Sequence, residues 1–208
     1  MGKKIVLIGG GGHCKSVLDT LLKDQAYDEI VITDNDISDG TVIMNCRVVG
    51  NDDVLPSLLE AGFLNAFITV GSIESTKLRR ILFEKAQKCG FQMVNVVDQS
   101  AVVSEFATLG NGIFIGKNAV VNADAKIGDA AIINTSAVIE HECKVGSFSH
   151  ISVGAVLCGN VQVGNDSFIG AGSVVIQGIK IGDHAIVGAG STVIVDVSAD
   201  TTRMGIVK

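Results

Sequence analysis

The sequence predicts a small α/β domain with a parallel sheet, followed by an all-β domain wound as a parallel β-helix. Two patterns carry this. Residues 3 to about 97 alternate short apolar runs with helical patterns, and from residue 101 every sixth residue is aliphatic. Composition agrees: 25 Gly but only eight Phe, one Tyr and no Trp in 208 residues suit thin, regular layers of small aliphatics.

The first pattern opens with Lys4-Ile5-Val6-Leu7-Ile8, a buried strand. A helix over 15–23 follows, with Val17, Leu18, Leu21 and Leu22 on its apolar side, then a strand over 29–33. Residues 52–62 read as a helix with Asp52 or Asp53 as cap and Gly62 just past its end. A strand over 66–70, a helix over 75–88 stopped by Gly90, and a strand over 93–97 complete the set. Strand and helix alternating at this spacing predict a Rossmann-like parallel sheet. The expected domains are 1–97 and 98–208.

The second pattern is stricter. Every sixth residue from Val103 to Val193 is Val, Ile or Leu, without an insertion. The residue two before each is small (Ala, Ser or Cys) except at Ile113, Val161 and Ile179. Gly often follows the aliphatic, as at Gly110, Gly116, Gly128, Gly146, Gly164, Gly170, Gly182 and Gly188. A six-residue period fits neither helix nor strand alone, and is met by a prism of short parallel strands. The aliphatic and the small residue point inward, and Gly or Asn takes the corner.

Several classes are excluded. A net charge of −6 offers no basic face to nucleic acid. No apolar run approaches a membrane span, and Gly9 to Gly12 break the first apolar run, so no leader segment is expected. Cys14, Cys46, Cys89, Cys143 and Cys158 form no CxxC pair and are odd in number, which predicts free, mostly buried thiols in a cytoplasmic protein.

The stretch Ile133-Asn134-Thr135-Ser136-Ala137-Val138-Ile139-Glu140-His141-Glu142-Cys143, continuing through Gly146 to Ala155 and on to Gly159-Asn160, resembles the hexapeptide-repeat acyltransferases. Within them the chain is most similar to the sialic acid O-acetyltransferase and bacillosamine N-acetyltransferase group. That resemblance implies a left-handed coil with eighteen residues per turn, and a homotrimer with active sites between subunits. It also implies acetyl-CoA as co-substrate, no metal, and acetylation of the amine of a UDP-4-amino-4,6-dideoxy sugar. The alternative is O-acetylation of a sialic acid.

His141 lies two residues after the inward Ile139, hence near a corner, between Glu140 and Glu142. A histidine beside carboxylates there suits a general base. One eighteen-residue turn above it lies Gly159, whose backbone N–H could meet an oxyanion. The resemblance gives the residue at Glu142 the role of raising the histidine's basicity. It places His150 against acetyl-CoA, Ala171 and Ala189 along the pantetheine arm, and Asn134 near the acceptor sugar. His150 is half a turn from His141, so the two are expected to meet only across a subunit boundary. His184 has no assigned role.

Gly9-Gly10-Gly11-Gly12-His13-Cys14 follows the first strand and opens the first helix, so its N–H groups and dipole face a phosphate. Cys14 stands where a dinucleotide fingerprint needs Gly, which argues against a nicotinamide enzyme. Asp34 suits a ribose or base edge, and Gly71 closes the same pocket edge. The resemblance implies that Gly11, Gly12, His13, Asp34, Asn35 and Gly71 contact the UDP-sugar. Arg79 and Arg80 read as exposed helix charges, with a phosphate contact as the other reading. Two features depart from the group: a longer Gly71–Arg79 spacing, and a C-terminus without the usual Gly-x-Pro-Ala-Lys. A carbonic-anhydrase-type zinc site fails on the spacing of His141, His150 and His184. A non-catalytic nucleotide-sugar sensor is opposed by the His141-Glu142 pair.

Overall fold

The computed structural model describes residues 2–208. The chain forms two compact units, one running through Ser72 and adding Lys77–Val96, the other holding Ile73–Thr76 and Val97–Lys208.

In the first unit, β1 (Lys4–Ile8), β2 (Glu29–Thr33), β3 (Val42–Ile43), β4 (Cys46–Val48), β5 (Asn65–Ile68) and β6 (Gln92–Met93) form one sheet in the order β3-β4-β2-β1-β5-β6. It is parallel apart from β3, which runs antiparallel to β4. That hairpin is absent from the sequence reading. It turns through Met44 and Asn45, both left-handed (φ 45° and 70°), and Met-Asn lacks the Gly that marks such turns. Helix α1 (Gly12–Asp24) starts earlier than its apolar spacing suggests, with Gly11 as a cap that has no side chain.

The expected helix over 52–62 is instead a 3₁₀ turn, Asp52–Val54, followed by α2 (Leu55–Glu60). Its cap is Asn51 rather than Asp52 or Asp53, the Asn51 side chain accepting from the Asp53 N–H at 3.0 Å. Asp52 turns inward and is buried. Its carboxylate accepts from Thr33 Oγ1 (3.0 Å) and Asn35 Nδ2 (2.9 Å), which offset the cost of its burial. Helix α3 (Lys77–Cys89) packs Leu82, Phe83 and Ala86 inward, and Gly90 (φ 105°) stops it. The expected strand over 93–97 divides: Gln92–Met93 pairs with β5, while Val96–Val97 opens a sheet of the coil.

The second unit is a coil of two-residue strands in three parallel sheets. Each strand pairs with one eighteen residues on, as Val120 with Val138 and Lys126 with Lys144. The inward aliphatics are buried from Ile115 to Val193, with Val103 and Leu109 partly covered at the open start. The small residues beside them are buried too. Where these are serines, each hydroxyl donates to a carbonyl: Ser149 to Gly164, Ser167 to Gly182, Ser173 and Ser191 to Gly188. No buried hydroxyl there is left unsatisfied.

The corners differ from expectation. The left-handed residue comes three after the aliphatic, at Asn118, Asp124, Ala130, Ser136, Glu142 and onward. The glycines directly after the aliphatic serve a different need. A Cβ on Gly146 would lie 2.5 Å from Asn165 N and Gly164 C, so these glycines let successive turns stack closely. Beyond Val193 the period breaks, and Thr202–Arg203 and Ile206–Val207 close two sheets with shorter turns.

Candidate active site

In the coil, the strand Val138–Ile139 delivers His141 and Glu142 to the next corner. Glu142 adopts the left-handed conformation (φ 62°), and its N–H donates to Ala123 O (3.0 Å), fixing the turn. Its Oε2 lies 3.2 Å from His141 Nδ1. Both side chains are mostly exposed in the single chain (60% and 63%), so the pair adds little stability. What it supplies is orientation. A carboxylate at Nδ1 favours the tautomer with its proton there, leaving the Nε2 lone pair as the acceptor. Glu140 Oε2 accepts from the His141 N–H (3.2 Å).

Gly159 stacks over the ring. The next turn is tied to this one by Asn160 N–H donating to His141 O (2.9 Å), and a Cβ on Gly159 would lie 2.6 Å from His141 Cε1 and Nε2. Only Gly leaves the imidazole this position. Gly159 is buried, and its N–H donates to no group among the described residues. The equivalent N–H groups of Thr135, His141, Ser147 and Asn165 are each taken by a side-chain oxygen, and those of Ala123, Val153, Ala171, Gln177 and Ala189, which also lack an acceptor, belong to exposed residues. An imidazole nitrogen and a free, buried N–H thus share a cleft of about 500 Å³, lined also by Cys158, Asn160, Gln177 and Gly178.

Asn134 and His150 meet: Asn134 Nδ2 lies 3.1 Å from His150 Nε2, and the His150 ring stands edge-on to Phe168 at 5.2 Å. One chain does not unite this pair with His141, since His150 belongs to a different sheet. Ala171 and Ala189 are exposed and stacked, with Gly190 N–H donating to Ala171 O (2.8 Å). His184 Nδ1 lies 4.0 Å from Asp166 Oδ2, away from the cleft residues. Among the described residues no group of three His, Cys, Asp or Glu is placed to hold a metal ion. No described helix is long and apolar enough to cross a membrane.

In the first unit, the loops after β1, β2 and β5 gather at the carboxyl end of the sheet, where the strand order reverses at β1 and open α/β sheets place their ligands. Gly9 needs its positive φ (109°), and a Cβ on Gly10 would strike Ile37 at 2.6 Å. Gly11 and Gly12 face neither demand. They are exposed at the start of α1, and a Cβ there would meet nothing within 4 Å. Gly71 lies beside His13, 3.8 Å from its Cβ. Asp34 Oδ2 accepts from Gly10 N–H (2.6 Å) and its Oδ1 from Asp36 and Ile37 N–H, so it shapes the loop. Asn35 is turned to Asp52, leaving one amide proton for a ligand. Arg79 corrects the sequence reading: it is buried, not exposed, and donates from Nη1 to Ser72 Oγ (2.9 Å). Its place on the inner face of α3 puts the guanidinium next to the loop after β5.

Models of known families match both halves: the PglD N-terminal domain over residues 4–86 and the bacterial transferase hexapeptide over residues 160–194. Among solved structures, the chain is similar to a histidine-to-alanine variant of GDP-perosamine N-acetyltransferase from Caulobacter crescentus, in complex with CoA and GDP-perosamine. Identity is 38%, coverage is 97% of this chain and 93% of that one, and the TM-score is 0.91. The chain belongs to the hexapeptide-repeat sugar acetyltransferases. The acetyltransferase domain of PglB from Neisseria gonorrhoeae, in complex with acetyl coenzyme A, is 33% identical over 99% of this chain and 97% of that one, with a TM-score of 0.91. WeeI from Acinetobacter baumannii, 20% identical over 98% and 97% with a TM-score of 0.72, shares the fold. No curated protein sequence gives a significant match. This acetyltransferase has the left-handed parallel β-helix of its family. Cys158, Gln177 and Gly178 in its cleft were missed from sequence, although Gln177 lies one turn beyond Gly159.

Proposed function

We propose that this sugar N-acetyltransferase transfers the acetyl group of acetyl-CoA directly to the amine of a UDP-4-amino-4,6-dideoxy sugar, with His141 as general base. The observation that carries this is the cleft pairing of His141 Nε2 with the unpartnered, buried Gly159 N–H. The amine attacks the thioester carbonyl while Nε2 takes its proton. Glu142, at Nδ1, stabilises the resulting imidazolium. The Gly159 N–H stabilises the oxyanion. Collapse breaks the C–S bond, and the imidazolium returns the proton to the departing CoA thiolate. No acyl-enzyme forms, so no cysteine is needed.

Gly11, Gly12, His13 and Gly71 hold the nucleotide sugar, with Asp34 and Asn35 at the edge of the nucleotide. The open space over Gly11 and Gly12, which no internal contact explains, supports this. Asn134 and His150 act as a pair, His150 toward acetyl-CoA and Asn134 toward the sugar, and Ala171 and Ala189 flank the pantetheine arm. The neighbour that carries GDP-perosamine supports a nucleotide-linked amino sugar as acceptor.

The assembly is a homotrimer that brings His150 of one chain to His141 of the next. Two coil faces support this with apolar outward columns, Val120, Val138, Val156 and Val174 on one, Phe168 and Ile186 beside His150 on the other. A closed three-fold ring covers such faces. The five free thiols and these substrates support a cytoplasmic location.

The test is CoA-thiol release from acetyl-CoA with four acceptors: UDP-linked and GDP-linked 4-amino sugars, a free amino sugar and a sialic acid. The proposal expects turnover with the UDP-amino sugar above all others. Preference for the GDP sugar would correct the base, and turnover only with sialic acid would replace N- by O-acetylation.

A further inference from the structure

Phenylalanine in this chain is kept for the interior, with one exception. Phe63, Phe67, Phe83, Phe91, Phe114 and Phe148 are buried and Phe168 is half-buried, whereas Phe106 is 69% exposed. Its ring packs on no other aromatic ring or cation among the described residues. A single exposed apolar side chain is ordinary on a protein surface, so its place decides whether it has a use. Val103, Val121 and Ile139 are paired in register. Phe106, three residues after Val103, therefore takes the corner two turns below Glu142, with Asp124 between them. By the same register Glu105 and Ala123 fall below His141. The Phe106 N–H donates to Ser104 Oγ (3.2 Å), which ties the turn.

The imidazole divides this corner in two. Above it lie Gly159, assigned above to the oxyanion, and Gln177–Gly178 of the same cleft. Below it the first residue is Ala123, exposed and with only a methyl for a side chain, whose carbonyl accepts from the Glu142 N–H (3.0 Å). An amine attacking the thioester carbonyl approaches away from the oxygen that meets the Gly159 N–H, so the acceptor is left the lower part of the corner. Adjacent turns lie about 4.8 Å apart, which puts Phe106 roughly 10 Å below Glu142. A pyranose with its substituents fits that interval.

We propose that Phe106 is a specificity-determining residue that selects a 6-deoxy acceptor by its C6 methyl; this rests on the amino-sugar reading above. In a 4-amino-4,6-dideoxy hexose the methyl hangs on C5, next to the carbon that bears the amine. With the amine at His141 Nε2 and the ring in the lower part of the corner, the methyl faces down toward Phe106. Contact there removes two apolar surfaces from water. A C6 hydroxyl loses water against the phenyl ring and gains no partner from it. Apolar surfaces reject an added hydroxyl by no more than about a hundred-fold, and this one is open on one side, so a preference of about ten-fold is expected. A second copy of the chain fits Phe106 less well. Its neighbours Glu105 and Asp124 are exposed carboxylates with no hydrogen bond or ion pair among the described residues, and a dry protein contact would bury them unpaired, whereas a hydroxylated sugar leaves them wet.

The test compares kcat/KM for a UDP-4-amino-4,6-dideoxy sugar and for its 6-hydroxy counterpart, in wild type, Phe106→Ala and Phe106→Leu, with a thermal melt and the solution mass of each. The wild type is expected to prefer the 6-deoxy sugar about ten-fold. Phe106→Ala should bring that preference within about two-fold, through a raised KM for the 6-deoxy sugar, with KM for acetyl-CoA, Tm and mass unchanged. Phe106→Leu, which keeps an apolar surface, should keep most of the preference. A preference unaltered in Phe106→Ala, an equal loss with both sugars, or a fall in mass would overturn the assignment, the last by placing Phe106 in a contact between copies. A wild type that acetylates neither amino sugar would instead remove the acceptor reading on which it rests.

Discussion

Replacing Gly159 with Ala isolates the geometry on which the proposed chemistry depends. Gly159 does not have a positive φ, so Ala imposes no backbone strain. Its methyl would stand 2.6 Å from both Cε1 and Nε2 of His141, closer than a carbon can approach either atom. The His141 side chain is 60% exposed and free to swing outward, so the fold is expected to survive with Tm nearly unchanged. The reaction is not. The swing removes Nε2 from the amine, and the methyl occupies the space beside the Gly159 N–H. Blocking access to one oxyanion donor lowers kcat by up to about 10²–10³, or roughly 3–4 kcal/mol, and displacement of the base adds to that. The assay is CoA-thiol release with both substrates saturating, alongside a thermal melt. A folded Gly159→Ala enzyme with kcat within three-fold of wild type would refute the account of this cleft.

Other outcomes follow from the same structure. Glu142→Gln keeps a hydrogen-bond partner for Nδ1 but removes the charge facing the imidazolium, so kcat should fall by about ten-fold or more with KM for acetyl-CoA little changed. Cys143→Ser with Cys158→Ser should retain most activity. Burial pushes the Cys143 thiol up to about 11, so it is no nucleophile near neutral pH, and complete loss in a folded variant would contradict direct transfer. Burial likewise raises Cys14 to about 11 from 9.0. Because the unfolded chain gives up these protons first, the stability is fully present below pH 9 and is lost as pH rises toward 11. The loss is of order 3 kcal/mol per thiol, and a Cys14→Ala variant should show a flatter alkaline denaturation profile. Gly12→Val should leave Tm unchanged but raise KM for the nucleotide sugar at least ten-fold, measured by steady-state kinetics; an unaltered KM would empty the pocket of its ligand.

The coil was legible because one physical demand repeats. An inward aliphatic every sixth residue and a small neighbour two before it can satisfy a narrow prism and little else, so Ile115 to Val193 announce both faces of the core. Stacking at eighteen residues then set Gly159 over His141 before any coordinates. What the sequence hid was governed by single local conformations. The left-handed corner tolerates Ala130, Glu142, Phe148 and His184, so residue type does not mark it, while the conspicuous glycines answer to close stacking. The hairpin at Met44-Asn45 carries no glycine signal. The sequence reading of Arg79 fails because a charge on an amphipathic helix is usually solvated, and only the burial of that face of α3 shows otherwise. In the proposed nucleotide pocket, sequence named Asp34 and Asn35 but could not show that Gly10 and Asp52 already engage them.

The most direct measurement is the rate of CoA-thiol release with acetyl-CoA and a UDP-4-amino-4,6-dideoxy sugar, wild type against His141→Ala. Rapid release by the wild type, lost by several orders of magnitude in a variant that melts at the same temperature, is what the His141–Gly159 cleft predicts. Release that persists in His141→Ala at a rate near wild type would contradict it.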